Sequence, residues 1–128
     1  MQVALVFNMK RKVLIVEDEP VIGEMMSILL EVAGYKVISL ADTQSAKRRL
    51  HEREVGLVLL DLALKGEDGT AMCTYIKNDE RLKHLPVILV SGNDDLETIT
   101  RECGADDHIA KPFDLEYFME KVKMHCLE

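Results

Sequence analysis

Short apolar runs recur along the chain, and segments with helical spacing of apolar residues separate them. The runs consist mostly of Val, Ile and Leu without polar alternation, which is typical of strands covered on both faces of a sheet. We therefore predict five strands in a parallel, central sheet. The runs are KVLIV (12–16), KVISL (36–40), GLVLLD (56–61), PVILVS (86–91) and DHIA (107–110).

The segments between the runs predict five helices. The first covers residues 20–33, opens with Pro20, which the first helical position tolerates, and stops at Gly34. Strand and helix alternate five times, which predicts one α/β domain with right-handed crossovers and helices on both faces of the sheet. The apolar residues of the first helix are Val21, Ile22, Met25, Ile28, Leu29 and Val32. The other helices are predicted over 43–54, 70–78 after Gly69, 96–103 after Asp94 and Asp95 and before Gly104, and 115–126 with Asp114 as the N-cap.

Polar side chains follow the strands at their carboxyl ends, where ligands bind in open sheets of this kind. They are Glu17 and Asp18 after the first strand, Asp61 at the end of the third, Ser91 at the end of the fourth and Lys111 after the fifth. Two carboxylates about 4 Å apart repel each other by on the order of 4 kcal/mol at an effective dielectric constant near 20, so a group of three needs a cation. Carboxylate oxygens suit Mg²⁺, which completes its shell with water and phosphate oxygens. The acids therefore predict a magnesium site.

The other residues at this edge favour phosphoryl transfer over metal storage. A carboxylate such as Asp61 can attack a phosphoryl group, a reaction that needs mainly positioning and neutralisation of the phosphoryl oxygens. Lys111 offers a positive charge for one oxygen, and the Ser91 hydroxyl can donate to another. Taken singly, each residue has a plainer interpretation as a solvated loop acid, a turn serine or a surface lysine. Their joint occurrence at four strand ends favours a site.

Composition limits the partners and the compartment. With 16 Lys and Arg against 23 Asp and Glu, the net charge is −7, which argues against direct nucleic-acid binding by this domain. The odd number of cysteines, Cys73, Cys103 and Cys126, has no metal-ligand spacing, so we interpret them as small apolar residues in a cytoplasmic protein. No apolar run approaches the ~20 residues that cross a bilayer, so we expect no membrane association.

Four stretches together resemble the receiver domain of two-component response regulators. They are VLIVEDEP (13–20), LVLLDLALKGEDG (57–69), PVILVSG (86–92) and AKPF (110–113), in order and over residues 12–126. The resemblance implies a flavodoxin-like, doubly wound (βα)5 fold with five parallel strands in the order 2-1-3-4-5. It makes residues 12–128 the receiver domain and leaves residues 1–11 as an N-terminal extension of unknown role, with Met9 as an alternative start.

The resemblance also implies a role for each residue of the site. Glu17 and Asp18 match the acidic pair for Mg²⁺, with Mn²⁺ as an alternative, Asp61 matches the phosphoacceptor and metal ligand, and Ala63 matches the position of a backbone carbonyl ligand. Ser91 matches the switch hydroxyl, Lys111 the catalytic lysine, Pro112 a proline often preceded by a cis bond, and Gly69 the glycine before the third helix.

Three positions depart from the pattern of the family. Lys65 stands where a proline is often found, which predicts a differently shaped loop after the third strand. His108 stands at the switch aromatic position; it could move inward and respond to pH, or be an exposed histidine of an edge strand. Ala63 has no polar side chain to orient water on the acyl phosphate, a role that Asn93 could take and so shape the phosphoryl lifetime.

The resemblance implies a phosphorylated signalling domain that catalyses only its own phosphorylation and autodephosphorylation. A sensor histidine kinase or a histidine phosphotransfer protein would supply the phosphoryl group. Movement at Ser91 would alter the face made by the fourth helix, the fifth strand and the fifth helix, which could bind a downstream protein or a second copy. The chain is then either a stand-alone receiver or a piece of a longer regulator with a C-terminal output domain.

Three other functions fit these residues less well. A receiver-like interaction module that signals without phosphate would be favoured by loss of the acids or the lysine, and all are present. A small-molecule phosphohydrolase would need an Asp two residues after the nucleophile, where Ala63 stands. A flavin-binding protein would need a phosphate loop after the first strand, where the chain has acids.

Overall fold

The computed structural model describes residues 11–52 and 54–126, so the proposed extension lies outside the described residues except for Arg11. Five strands alternate with five helices. In chain order they are β1 (Lys12–Val16), α1 (Pro20–Val32), β2 (Lys36–Leu40), α2 (Thr43–Arg49), β3 (Val55–Asp61), α3 (Gly69–Asn78), β4 (Val87–Ser91), α4 (Leu96–Cys103), β5 (Asp107–Ala110) and α5 (Leu115–His125).

The strands form one parallel sheet in the order β2-β1-β3-β4-β5, which confirms the predicted doubly wound fold. The reversal of strand order lies between β1 and β3, where ligands of such sheets bind. Because β1, β3, β4 and β5 are consecutive neighbours, the residues that follow them share one edge.

Alternate strand residues enter two separate cores. One core lies under α2, α3 and α4 and includes Leu14, Leu60 and Leu89, and the other lies under α1 and α5 and includes Ile15 and Leu59. Every residue of β3 is buried. A buried Leu or Val side chain contributes roughly 1.5–3 kcal/mol, so the carboxyl end of β3 is firmly held.

The first helix is confirmed, but much of its apolar surface faces outward. Val21 is 79% exposed, Val32 83% and Ile28 52%, and Met25 is also exposed. The buried face of α1 instead uses Gly23, Met26 and Leu30. The spacing in the sequence indicated the helix correctly, but four of the six apolar residues form an exposed stripe along it.

The second helix is shorter than the predicted 43–54. It ends at Arg49, followed by the buried C-cap Leu50, and Glu52 N–H donates to the Arg49 carbonyl in a turn. The physical reason is that the chain turns here to enter the sheet: Val55 N–H donates to the Glu52 carbonyl at 3.3 Å, and Lys12 N–H, on β1, donates to the Glu54 carbonyl at 2.8 Å. Lys12 Nζ also contacts Glu52 Oε1 at 2.9 Å and Glu54 Oε2 at 3.6 Å. The remaining helix positions agree with the prediction within one or two residues.

Local signals at several helix ends are confirmed. Asp114 accepts from Tyr117 N–H at the start of α5, and Gly104 ends α4 with a positive φ of 81° that favours glycine. The Lys111–Pro112 bond is cis. Cys73 and Cys126 lie in the cores as predicted. Among the described helices, none has the length and apolar character needed to traverse a lipid bilayer.

Candidate phosphoryl-transfer site

Three carboxylates predicted at different strand ends lie together. Val16 is aligned with Leu60 across β1 and β3, so Glu17 comes beside Asp61, and Asp18 follows. Glu17, Asp18 and Asp61 each offer an oxygen, and these atoms all lie within 4.8 Å of one another. Asp61 is only 5% exposed because it closes the fully buried β3.

Lys111 lies beside this cluster, as predicted from its place after β5. Its Nζ is 2.9 Å from Glu17 Oε1 and 3.7 Å from Asp61 Oδ2. Its backbone N–H donates to the Ser91 carbonyl at 2.9 Å, which fixes the lysine against the end of β4. The sheet therefore fixes the backbone from which the Lys111 ammonium reaches the carboxylates.

The cluster is strained electrostatically. Burial raises the pKa of the Glu17 carboxyl, and the nearby Asp61 raises it further, while Lys111 opposes the shift. Three carboxylates and one ammonium sum to a formal charge of −2. Burial of uncompensated charge is unfavourable, so the pocket favours a ligand that brings positive charge.

A hard divalent cation fits this donor set. Three carboxylates provide only oxygen ligands, and the formal charge of −2 equals what a divalent ion would neutralise. The Lys111 ammonium, 3.7 Å from Asp61 Oδ2, offers positive charge to an anionic group attached to that carboxylate. The residues therefore fit Mg²⁺ together with a phosphoryl group.

The loop over residues 62–68 borders the pocket. Ala63 N–H donates to Asp61 Oδ1 at 3.0 Å, so this end of the loop lies directly over the candidate phosphoacceptor. Gly69 allows α3 to approach closely, because a Cβ there would lie 2.6 Å from the Asp61 carbonyl oxygen. Lys65 N–H donates to Asp18 Oδ2 at 2.6 Å, a bond that proline at this position could not make.

Ser91 and Asn93 lie on the neighbouring side of the pocket. Ser91 is buried and its Oγ accepts from Asn93 N–H at 3.1 Å, while Asn93 Oδ1 accepts from Asp95 N–H at 2.8 Å. His108 is half-buried on the edge strand β5. The roles inferred for Ser91, Asn93 and His108 stay predictions.

One hydrogen-bonded contact at this edge was not predicted from the sequence. Glu67 accepts from Thr43 N–H, at 3.2 Å to Oε1 and 3.3 Å to Oε2, and also from the Thr43 hydroxyl. The two residues are 24 positions apart and neither belongs to a periodic pattern. The acidic run GED in the loop was the one visible signal.

The fold and this pocket define a doubly wound α/β domain with an acidic, lysine-flanked site at the carboxyl ends of its strands. The family model described as the response regulator receiver domain matches residues 13–123. The chain belongs to the response regulator receiver domain family and is thus a signalling domain of two-component systems. The resemblance seen in the four sequence stretches is confirmed.

Similar proteins include a longer regulator. The chain is 36% identical over 115 residues to the phosphate regulon transcriptional regulatory protein PhoB of Pseudomonas aeruginosa. The aligned residues are 88% of this chain and 50% of that protein. The chain spans about half the length of the curated relatives it matches.

Solved structures agree in fold. The signal receiver domain of a signal transduction histidine kinase from Syntrophus aciditrophicus has a TM-score of 0.82 and 31% identity, covering 91% of this chain and 89% of that one. The receiver domain of the sensor histidine kinase PA1611 from Pseudomonas aeruginosa has a TM-score of 0.82 and 26% identity, covering 92% and 98%. That crystal structure has a magnesium ion coordinated in its active site cleft.

Proposed function

We propose that this domain accepts a phosphoryl group on Asp61 and that Glu17, Asp18, Asp61 and the Ala63 carbonyl hold Mg²⁺. The observation that carries the proposal is the convergence of three carboxylates within 4.8 Å beside the Lys111 ammonium. The magnesium ion in the PA1611 receiver, a similar domain, supports the choice of metal. Residues 12–128 would form this domain.

The geometry suggests how Asp61 reacts. Ala63 N–H holds Asp61 Oδ1, and Oδ2 faces Lys111 at 3.7 Å. A carboxylate oxygen of Asp61 forms a bond to phosphorus while the bond from phosphorus to the donor's histidine nitrogen breaks, and that nitrogen keeps the electron pair. Bound Mg²⁺ would offset negative charge on the phosphoryl oxygens. Lys111 offsets charge on another oxygen, and the buried Ser91 hydroxyl moves toward a third oxygen and donates to it.

The donor would be a histidine kinase or histidine phosphotransfer protein in the cytoplasm. The exposed stripe of α1 offers such a partner an apolar surface, since Val21 follows the acidic pair by three residues and Ile28 lies two turns further on. Output would pass through the face of α4, β5 and α5, to a downstream protein, a second copy or an output domain. PhoB, a transcriptional regulator of which this chain matches 50%, is consistent with the last arrangement.

Labelling by a small phosphodonor tests the proposal. With acetyl phosphate and Mg²⁺, we expect intact-mass measurement to show one added phosphoryl group on the wild type and on Asp94→Asn, an exposed control, but none on Asp61→Asn. With a phosphohistidine donor protein, Ile28→Ser would slow transfer while leaving acetyl phosphate labelling unchanged. Equal labelling of wild type and Asp61→Asn would overturn the assignment of the phosphoacceptor.

A further inference from the structure

The loop between β3 and α3 is held by side chains from two other parts of the chain. Within the loop, the backbone reverses at Gly66, whose φ is 68°, and Glu67 N–H donates to the Leu64 carbonyl at 3.2 Å. Leu64 is buried in the core under α2, α3 and α4. Burial of Leu64 thus fixes the centre of the loop, and hydrogen bonds to neighbouring segments, called ties below, fix the rest of it.

The first tie joins the loop to the acidic pair. Lys65 N–H donates to Asp18 Oδ2 at 2.6 Å, and Lys65 is two residues from Ala63. A hydrogen bond to one oxygen of a ligand carboxylate orients the other oxygen, which is how outer contacts tune metal sites. Moving Lys65 would therefore disturb both Asp18 and the Ala63 carbonyl.

The second tie joins the loop to α2. Glu67 accepts from the N–H and the hydroxyl of Thr43, the first residue of that helix. Asp42 caps a different amide of α2 by accepting from Ser45 N–H at 2.7 Å, so the bond to Glu67 adds to the capping of the helix and also joins the loop to it. The helix is a fixed support, since Ala46 and Leu50 are buried in the core.

We propose that Glu67 is a positioning residue for the metal-binding edge: bound to Thr43, it holds residues 62–68 so that Asp18 and the Ala63 carbonyl stay in place beside Asp61. This inference rests on the proposed function, because it assigns Glu67 an effect on the same Mg²⁺ site. Glu67 lies two residues from Lys65, so loss of the second tie loosens the first.

The test combines Mg²⁺ affinity with a measurement that needs no metal. In Glu67→Ala, we expect the Mg²⁺ Kd from NMR titration to rise about three- to tenfold, below the 10- to 100-fold typical of a direct outer contact. In the metal-free protein, hydrogen exchange of the Lys65 amide should accelerate. Thr43→Val, which loses the hydroxyl, should act in the same direction but less, and adding it to Glu67→Ala should change little further.

Two further variants separate positioning from general stability. Glu67→Gln keeps an acceptor oxygen and should restore part of the affinity, while Glu80→Ala, at an exposed residue, should leave both measurements unchanged. A Glu67→Ala protein with wild-type Kd and wild-type Lys65 exchange would overturn the inference, even if it melted at a lower temperature. If the wild type itself failed to bind Mg²⁺, the proposed function would fail, whereas Lys65 exchange would still decide whether Glu67 holds the loop.

Discussion

Two glutamates at opposite ends of the sheet have opposite pKa shifts. Burial, together with the nearby Asp61, raises the pKa of Glu17 at the carboxyl ends of the strands. At the other end, hydrogen bonds from Arg49 and Lys12 lower the pKa of Glu52 to about 2. The surroundings of Glu17 therefore disfavour the charged carboxylate, whereas the surroundings of Glu52 favour it.

The difference extends to the neighbours of each glutamate. At the amino-terminal edge acids lie beside basic side chains: Asp107 contacts Lys121 Nζ at 2.7 Å and His125 Nε2 at 2.8 Å, and Asp106 contacts Lys77 Nζ at 2.6 Å. At the carboxyl edge Glu17 and Asp61 share Lys111, and Asp18 lies beside them. The balanced edge serves stability, whereas the unbalanced edge retains negative charge that binding can neutralise, a common cost of function.

Removing the cation from the unbalanced edge should have the largest effect. For Lys111→Met, we expect the rate of labelling by acetyl phosphate and Mg²⁺ to fall about a hundredfold, because charge on a phosphoryl oxygen loses its fixed partner. A time course by intact-mass measurement checks this.

Lys83→Met is the matched control, since Lys83 forms an exposed pair with Glu80. Its rate should equal that of the wild type. If Lys111→Met were labelled as fast as Lys83→Met, phosphorylation would not depend on the Lys111 ammonium. The difference in charge between the two edges would then have no bearing on phosphorylation.

The strands and the polar residues at their carboxyl ends could be predicted from the sequence because they depend on strong local patterns. Continuous apolar runs marked β1 and β3, and polar residues directly after them marked the edge where Glu17 and Asp61 meet. The order of the strands came from the family resemblance, since each run taken alone fits many neighbours.

Features that depend on contacts between distant segments were beyond the sequence. The early end of α2 accompanies contacts between segments about 40 residues apart, in which Lys12 N–H donates to the Glu54 carbonyl and Lys12 Nζ contacts Glu52. The tie from Glu67 to Thr43 likewise joins separate elements. The exposed stripe of α1 was missed for another reason: helical spacing shows that Val21 and Ile28 share a face but not whether the core covers it.

Stability should change in opposite directions when one acid is neutralised at each edge. In metal-free protein at pH 7, Asp61→Asn should raise the free energy of unfolding by about 1 kcal/mol, because it relieves repulsion of the buried Glu17. Asp107→Asn should lower it by about 2 kcal/mol, because Lys121 and His125 lose their partner. Urea unfolding with a chelator present measures both, and changes of the same sign would contradict the comparison.

The pH dependence of stability should show the smallest and most specific difference between the edges. Burial opposes the charge on Asp107, but hydrogen bonds from Lys121 and His125 outweigh it and lower the pKa of this carboxyl below its ordinary 3.8. Its stabilising contribution is therefore complete above that value and lost as pH falls through the lower, folded-state pKa.

The pKa of Glu17 is raised above its ordinary 4.5, so its contribution is complete below 4.5 and is lost as pH rises through the folded-state value. As pH rises above 4.5, metal-free Glu17→Gln should gain stability relative to the wild type, by less than about 1 kcal/mol, whereas the deficit of Asp107→Asn should shrink as pH falls below 3.8. Parallel pH profiles for the two variants would show that the edges are not opposed in charge.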